Sequence, residues 1–240
     1  MRKKASFTAL LYRELLICRK TLITYLFMTV IFTLIPILVI LSLQYGNLTM
    51  LPETMVADIR ANNDLMLVMY AVFCPCMLVM APSESAVCDA QVKWDRFRRS
   101  TPVKPGQLAL AKYVLYGIML AVSAAVSIAL AALCHGLLRS PMTVTDIAAV
   151  MAVITMFTMM CALSQVSIML MRSVDKGMLV MIGCSAAAVF LIPRDKVTDL
   201  SIETLLTTAE KLLPLTPLLL AGTLVLGWGL TTWIYTRREK

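Results

Sequence analysis

Charge is scarce in this sequence. Only 36 of its 240 residues are Asp, Glu, Lys or Arg, or 15%, against about 25% in an ordinary soluble domain. A body of this size needs a charged skin to stay in water, so a cytosolic enzyme, a disordered tail and a secreted disulfide scaffold are all poor readings. Histidine is scarcer still, with His135 the single instance. No His, Asp or Glu is spaced to join it, which argues against an intramembrane enzyme and makes it an interfacial residue. The seven cysteines, Cys18, Cys74, Cys76, Cys88, Cys134, Cys161 and Cys184, show neither a disulfide framework nor zinc-ligand spacing. Cys74-Pro75-Cys76 reads as small residues beside a helix kink rather than as a redox pair. A Gly-x-x-x-x-Gly-Lys-Ser/Thr loop is missing, so the chain does not bind nucleotide in that way. Strict apolar–polar alternation is missing too, which removes a membrane β-barrel.

What is present is apolar: 60% of residues, for a mean hydropathy of +0.83. A bilayer span needs about 20 consecutive apolar residues, because the hydrocarbon is about 30 Å thick and a helix rises about 1.5 Å per residue. Six stretches qualify: 21–44, 65–82, 113–134, 147–171, 177–193 and 212–235. Together they hold 130 residues and no charge, where the chain's own charge density would place about 20. The expected fold is an all-α integral membrane protein with six transmembrane helices, forming one domain over 1–240.

Lys and Arg set the orientation, since short loops rich in them stay in the cytoplasm. With the amino terminus inside, 17 basic residues fall inside and 5 outside. Both termini are therefore expected in the cytoplasm. The net charge of +8 reads as this topology signal plus attraction to anionic headgroups; no basic soluble domain remains to bind nucleic acid.

Three segments between spans carry their own pattern. In 6–20, Phe7, Leu10, Leu11, Leu15 and Cys18 recur at helical spacing among basic residues, which predicts an interfacial amphipathic helix, either an anchor or a lever touching a cytoplasmic partner. The inner connection 83–112 is far longer than packing requires and is dense in charge, aromatics and proline, the chemistry of a functional loop. Asp89 to Arg99 predicts a short helix with the acid near its amino end and Arg98 and Arg99 at its carboxyl end. Trp94 and Phe97 share one face, and Pro102 and Pro105 stiffen the return. This loop is either an aromatic-and-Arg interfacial anchor or a docking element. In the outer loop 194–211, Ile202, Leu205, Leu206 and Ala209, continuing to Leu212 and Leu213, mark the apolar face of an amphipathic helix that Pro214 and Pro217 break from span six.

The layout and the middle loop resemble the permease subunits of ABC-2 type transporters, above all the short six-span kind that pairs with a separate ATPase. The residues carrying the likeness are Asp89, Lys93-Trp94-Asp95, Phe97, Ser100-Thr101-Pro102-Val103 and Lys112-Tyr113; Ala90 departs from it, standing where many relatives carry a second acid. The resemblance implies a permease homodimer bound to two ATPase subunits in a 2+2 assembly. The loop between spans two and three would form the coupling helix seated in a cleft of the ATPase. Asp89, Lys93, Trp94, Asp95, Arg96, Phe97, Arg98, Arg99 and Pro102 would then make the coupling site, with Trp94 and Phe97 as apolar anchors and the arginines pairing with acidic rim residues. ATP and Mg would reside in the partner; no cofactor, metal or catalytic residue is expected in this chain. Relatives of this kind include exporters of amphipathic peptides such as phenol-soluble modulins, and a bacterial plasma membrane is the implied setting.

Cargo is less legible. Met66, Met69, Phe73, Met77 and Met80 form one stripe on span two, suited either to a path for apolar or amphipathic cargo or to plain packing. Ala121, Ala125 and Ala129, with Ser123, Ser127 and Ala131 offset by two, make span three small-faced and able to pack closely within the protomer. The competing classes are an ion-coupled secondary transporter, which the uncharged spans disfavour, and a structural membrane protein, which leaves the docking-like loop unexplained.

Overall fold

The computed structural model describes residues 7–45, 64–92, 103–191 and 202–237. Among the described residues every regular element is a helix: α1 Phe7–Tyr45, α2 Asp64–Met77, a 3₁₀ turn Leu78–Met80, α3 Ser83–Gln91, α4 Pro105–Leu138, α5 Val144–Met171, α6 Val174–Leu191, α7 Ile202–Leu212, a second 3₁₀ turn Leu213–Leu215 and α8 Thr216–Arg237. Four helical stretches, 7–42, 105–138, 144–171 and 207–237, are long and apolar enough to cross a bilayer, and residues 71–80 with 83–91, bent by 44°, make a fifth. Large apolar side chains lie bare on their outer faces, Leu38 at 62% and Leu218 at 72% exposed among them. Lipid, not water, suits such a surface. The chain is a multi-pass membrane protein.

Among the described residues two buried cores hold the bundle. The larger joins α1, α2, α4 and α5 through Ile40, Val72, Cys76, Tyr116, Ile154 and Phe157. The second lies near the helix ends at which α1 begins and α8 finishes, and gathers Leu10, Ala86, Leu108, Ile168 and Tyr235 from α1, α3, α4, α5 and α8. Close approaches rest on absent side chains. A Cβ on Gly177 of α6 would fall 2.6 Å from the Ile168 Cα of α5, well inside contact distance. Pro75 leaves no break in α2; its carbonyl accepts from Ser123 Oγ of α4 at 2.8 Å, and Cys76 Sγ lies 3.5 Å from Ser127 Oγ. Ser123, Ser127 and Ala131 are thus the buried small face of α4. Ala121, Ala125 and Ala129 are exposed, so packing within the protomer accounts for only half of that small-residue pattern.

Helix ends follow local chemistry. Thr143 and Asp146 form a reciprocal capping box at the start of α5, satisfying amides that would otherwise point into a dry environment. Pro105 opens α4, where a missing N–H is harmless.

Three expectations are revised by these boundaries. The interfacial helix and the first span are one 39-residue helix, about 58 Å long, because no glycine or proline interrupts it before Pro36. The helix after span two starts at Ser83, immediately past Pro82, and ends at Gln91. Asp89 is therefore in its last turn rather than its first, since proline starts a helix more readily than it continues one. The outer amphipathic helix is α7, and Pro214 turns it into α8 through a single 3₁₀ turn rather than a full break.

Candidate functional site

α1 presents Leu10, Glu14 and Cys18 to the protein, all buried at a spacing of four. The apolar stripe expected from sequence is only partly inward: Leu10 and Cys18 are buried and Leu11 half-buried, while Phe7 and Leu15 stand 37% and 40% exposed. The line that faces inward contains a carboxylate, and Glu14 is fully buried. Its counterpart is Lys112 of α4, 1% exposed, whose Nζ donates to Glu14 Oε2 at 2.9 Å.

Lys112 donates to Glu14 and Ser85 and pairs with Asp89 by charge. Besides Glu14 it reaches Ser85 Oγ at 2.9 Å and Asp89 Oδ2 at 2.8 Å, both from α3. Arg13 closes the figure, with Nη1 on Glu14 Oε1 and Nη2 on Asp89 Oδ1, each at 2.5 Å. The result is a closed ring of alternating sign, Arg13, Glu14, Lys112, Asp89, in which each carboxylate gives one oxygen to each cation and the net charge is zero. Arg13 keeps a partial opening to the surroundings, at 24% of its side chain, and Asp89 a smaller one at 10%.

Position and burial give the ring its character. It sits within the second core, with Leu10, Ala86, Leu108 and Tyr235 nearby, and Cys18 touches the Ser85 backbone. Taking four charges out of water costs several kcal/mol per ion, roughly offset when every lone pair and proton finds an opposite partner. A ring of this kind adds little net stability over an apolar plug, but it fixes α1, α3 and α4 to one another in a single geometry. Among the described residues no group of three or more His, Cys, Asp or Glu could hold a metal. The ring holds charge and position; it presents no activated nucleophile.

The residues expected to form the coupling site divide here. Asp89 belongs to the ring, its carboxylate turned into the protein. Lys93, Trp94, Asp95, Arg96, Phe97, Arg98, Arg99 and Pro102 lie outside the described residues. The segment that carries them runs between the end of α3 and the start of α4, so both of its roots are bound in the ring, through Asp89 and Lys112. Sequence reasoning missed Arg13, Glu14, Ser85 and Lys112 as site residues. The available signal was Lys112 itself, a charged residue directly abutting an uncharged span.

On α2 Met69 and Met77, and in the 3₁₀ turn after it Met80, are partly buried, and Phe73 is 45% exposed, its ring meeting Phe157 edge-on at 5.8 Å; the Met66 side chain lies outside the described residues. His135 is not the isolated interfacial residue expected. It is 5% exposed, its Nδ1 lies 3.0 Å from Ser140 Oγ and its Nε2 lies 3.3 Å from Asp146 Oδ2. The hairpin between α4 and α5 folds back over these 11 residues and brings the pair together, a spacing too long to be read as a helical one.

The sequence model of the family described as ABC-2 family transporter protein matches residues 9–236. No curated protein and no solved structure matches the chain.

Proposed function

The chain belongs to the ABC-2 family of transporter proteins, and we propose that it is the permease subunit of an ATP-driven exporter, working as a homodimer with two copies of a separate ATPase. The family is a membrane transport component rather than a hydrolase, and it implies an ABC ATPase as partner. In this reading all six apolar stretches cross a plasma membrane, bacterial by its resemblance, with both termini in the cytoplasm. Segment 93–102 is the coupling contact: Trp94 and Phe97 enter a cleft of the ATPase, and Arg96, Arg98 and Arg99 meet its acidic rim. Lys93, Asp95 and Pro102 shape the same element. ATP and Mg stay with the partner. The cargo is an amphipathic peptide or hydrophobic compound, for which Met66, Met69, Phe73, Met77 and Met80 offer an adaptable apolar stripe.

The observation that supports this reading most is the placement of the ring at both roots of segment 93–102. A loop that receives force from outside needs a stiff mounting, and charges locked in a dry setting provide one. An ion-coupled transporter would instead need an ionisable group free to load and release along the spans, and the apolar stretches contain none.

Copurification in mild detergent tests it. An ATPase subunit is expected in 1:1 ratio, and replacing Trp94→Ala should lower the permease-stimulated ATPase rate while membrane insertion is kept. A chain that purifies alone and moves cargo down an ion gradient would refute the proposal.

A further inference from the structure

We infer that Lys112 is a positioning residue that makes the inner end of α1 move with the coupling segment, so that α1 carries the ATPase stroke across the membrane as one rod. This rests on the reading above and adds to it a route for the motion.

The geometry supports it in three steps. First, α3 leads directly into segment 93–102, and its last turn is held at Asp89 by two cations, Lys112 at 2.8 Å and Arg13 at 2.5 Å. Any displacement of that segment reaches Asp89 first. Second, Lys112 hands it on to Glu14 at 2.9 Å with no exposed atom between them to let water in. Both side chains are essentially fully buried, so neither partner can exchange its ion pair for hydration without opening the core. Third, α1 has no break from Phe7 to Tyr45. A shift at Glu14 is carried by the remaining 31 residues, about 46 Å of helix, which exceeds the hydrocarbon thickness. The end of α8 joins the same body, since Tyr235 is 2% exposed and packs in the core around the ring.

A ring serving only to fill space would be replaceable by apolar side chains of similar volume. That makes the alternatives separable. The variant Arg13→Met, Glu14→Leu, Asp89→Leu, Lys112→Met replaces all four charges together with apolar side chains of comparable volume. It is expected to keep its thermal midpoint and to bring down the ATPase in 1:1 ratio, since segment 93–102 is untouched. Its permease-stimulated ATPase rate, measured on the purified complex in vesicles of neutral and anionic phospholipid, should fall about tenfold, the scale of a typical coupling between sites. Unchanged stimulation in a stable, ATPase-bound variant would overturn the inference while leaving the permease assignment standing. Failure of the unaltered chain to bind any ATPase would instead remove the assignment itself.

Should the neutral variant fail to fold, a second measurement decides. Ser85→Cys places a thiol beside native Cys18 and allows α1 to be crosslinked to α3 with all four ring residues present. If α1 and α3 move as one body, the oxidised crosslink leaves stimulation as it was. A loss of stimulation that reductant restores would show that the two helices must part during the cycle, and the inference would be wrong.

Discussion

Glu14 and Lys112 stand 98 residues apart in the chain and 2.9 Å apart in space, each the eighth residue of its helix. Matching depth in two parallel helices is what lets their long side chains meet head-on. The pair is dry, so removing one partner differs sharply from removing both.

Lys112→Met alone should destabilise the protein by about 3–5 kcal/mol, because Glu14 and Asp89 would remain buried with only Arg13 between them. Adding Glu14→Gln should recover a large part of that loss. Thermal midpoints in detergent for the two single variants and the double variant form the cycle that checks it; additive losses would show that the two residues do not interact.

Gly177 and Gly136 should respond oppositely to alanine. At Gly177 a Cβ collides with the Ile168 backbone at 2.6 Å, which no side-chain rotation relieves, so a loss of about 1–3 kcal/mol is expected. At Gly136 nothing lies within 4 Å, and alanine should add up to about 1 kcal/mol of helix stability. Chemical denaturation of both variants tests the contrast.

Arg139 ends α4 with φ at 57°, in the left-handed region where a Cβ costs roughly 1–2 kcal/mol. Arg139→Gly should therefore raise the thermal midpoint, since its exposed side chain has little packing to lose. A lowered midpoint would mean that the arginine side chain supports the hairpin.

Thr143→Ala removes the hydroxyl that accepts from the Asp146 amide and donates to Oδ2 at 2.6 Å. A loss of about 1 kcal/mol is expected. The His135–Asp146 contact depends on that carboxylate being held in place, so the variant should also broaden or shift the His135 ring resonances. Unaltered resonances would show that the cap does not position Asp146.

The apolar stretches were plain in the sequence because hydrocarbon imposes a one-dimensional rule: no charge over a span's length. Helix existence along these runs follows from that rule. The ends were less plain. Nothing in residues 6–20 says whether an amphipathic face lies on lipid or on protein, and the stripe of Phe7, Leu10, Leu11, Leu15 and Cys18 is divided by the fold, which buries Leu10 and Cys18 and leaves Phe7 and Leu15 exposed. Likewise Ser123 and Ala121 are equally small, and only α2 lying along one side of α4 separates the buried row from the bare one. His135 had no visible partner because hairpins bring together residues at spacings no helical period describes.

Composition by itself determined the solvent, the helical class and, through Lys93-Trp94-Asp95 and its neighbours, the family resemblance; each depends on local chemistry read residue by residue. Tertiary structure alone decided that Arg13, Glu14, Asp89 and Lys112 close into one ring. A buried charge is tolerable only beside its opposite, and which opposite it meets is settled by the packing of α1 against α3 and α4, some 70 residues further along the chain.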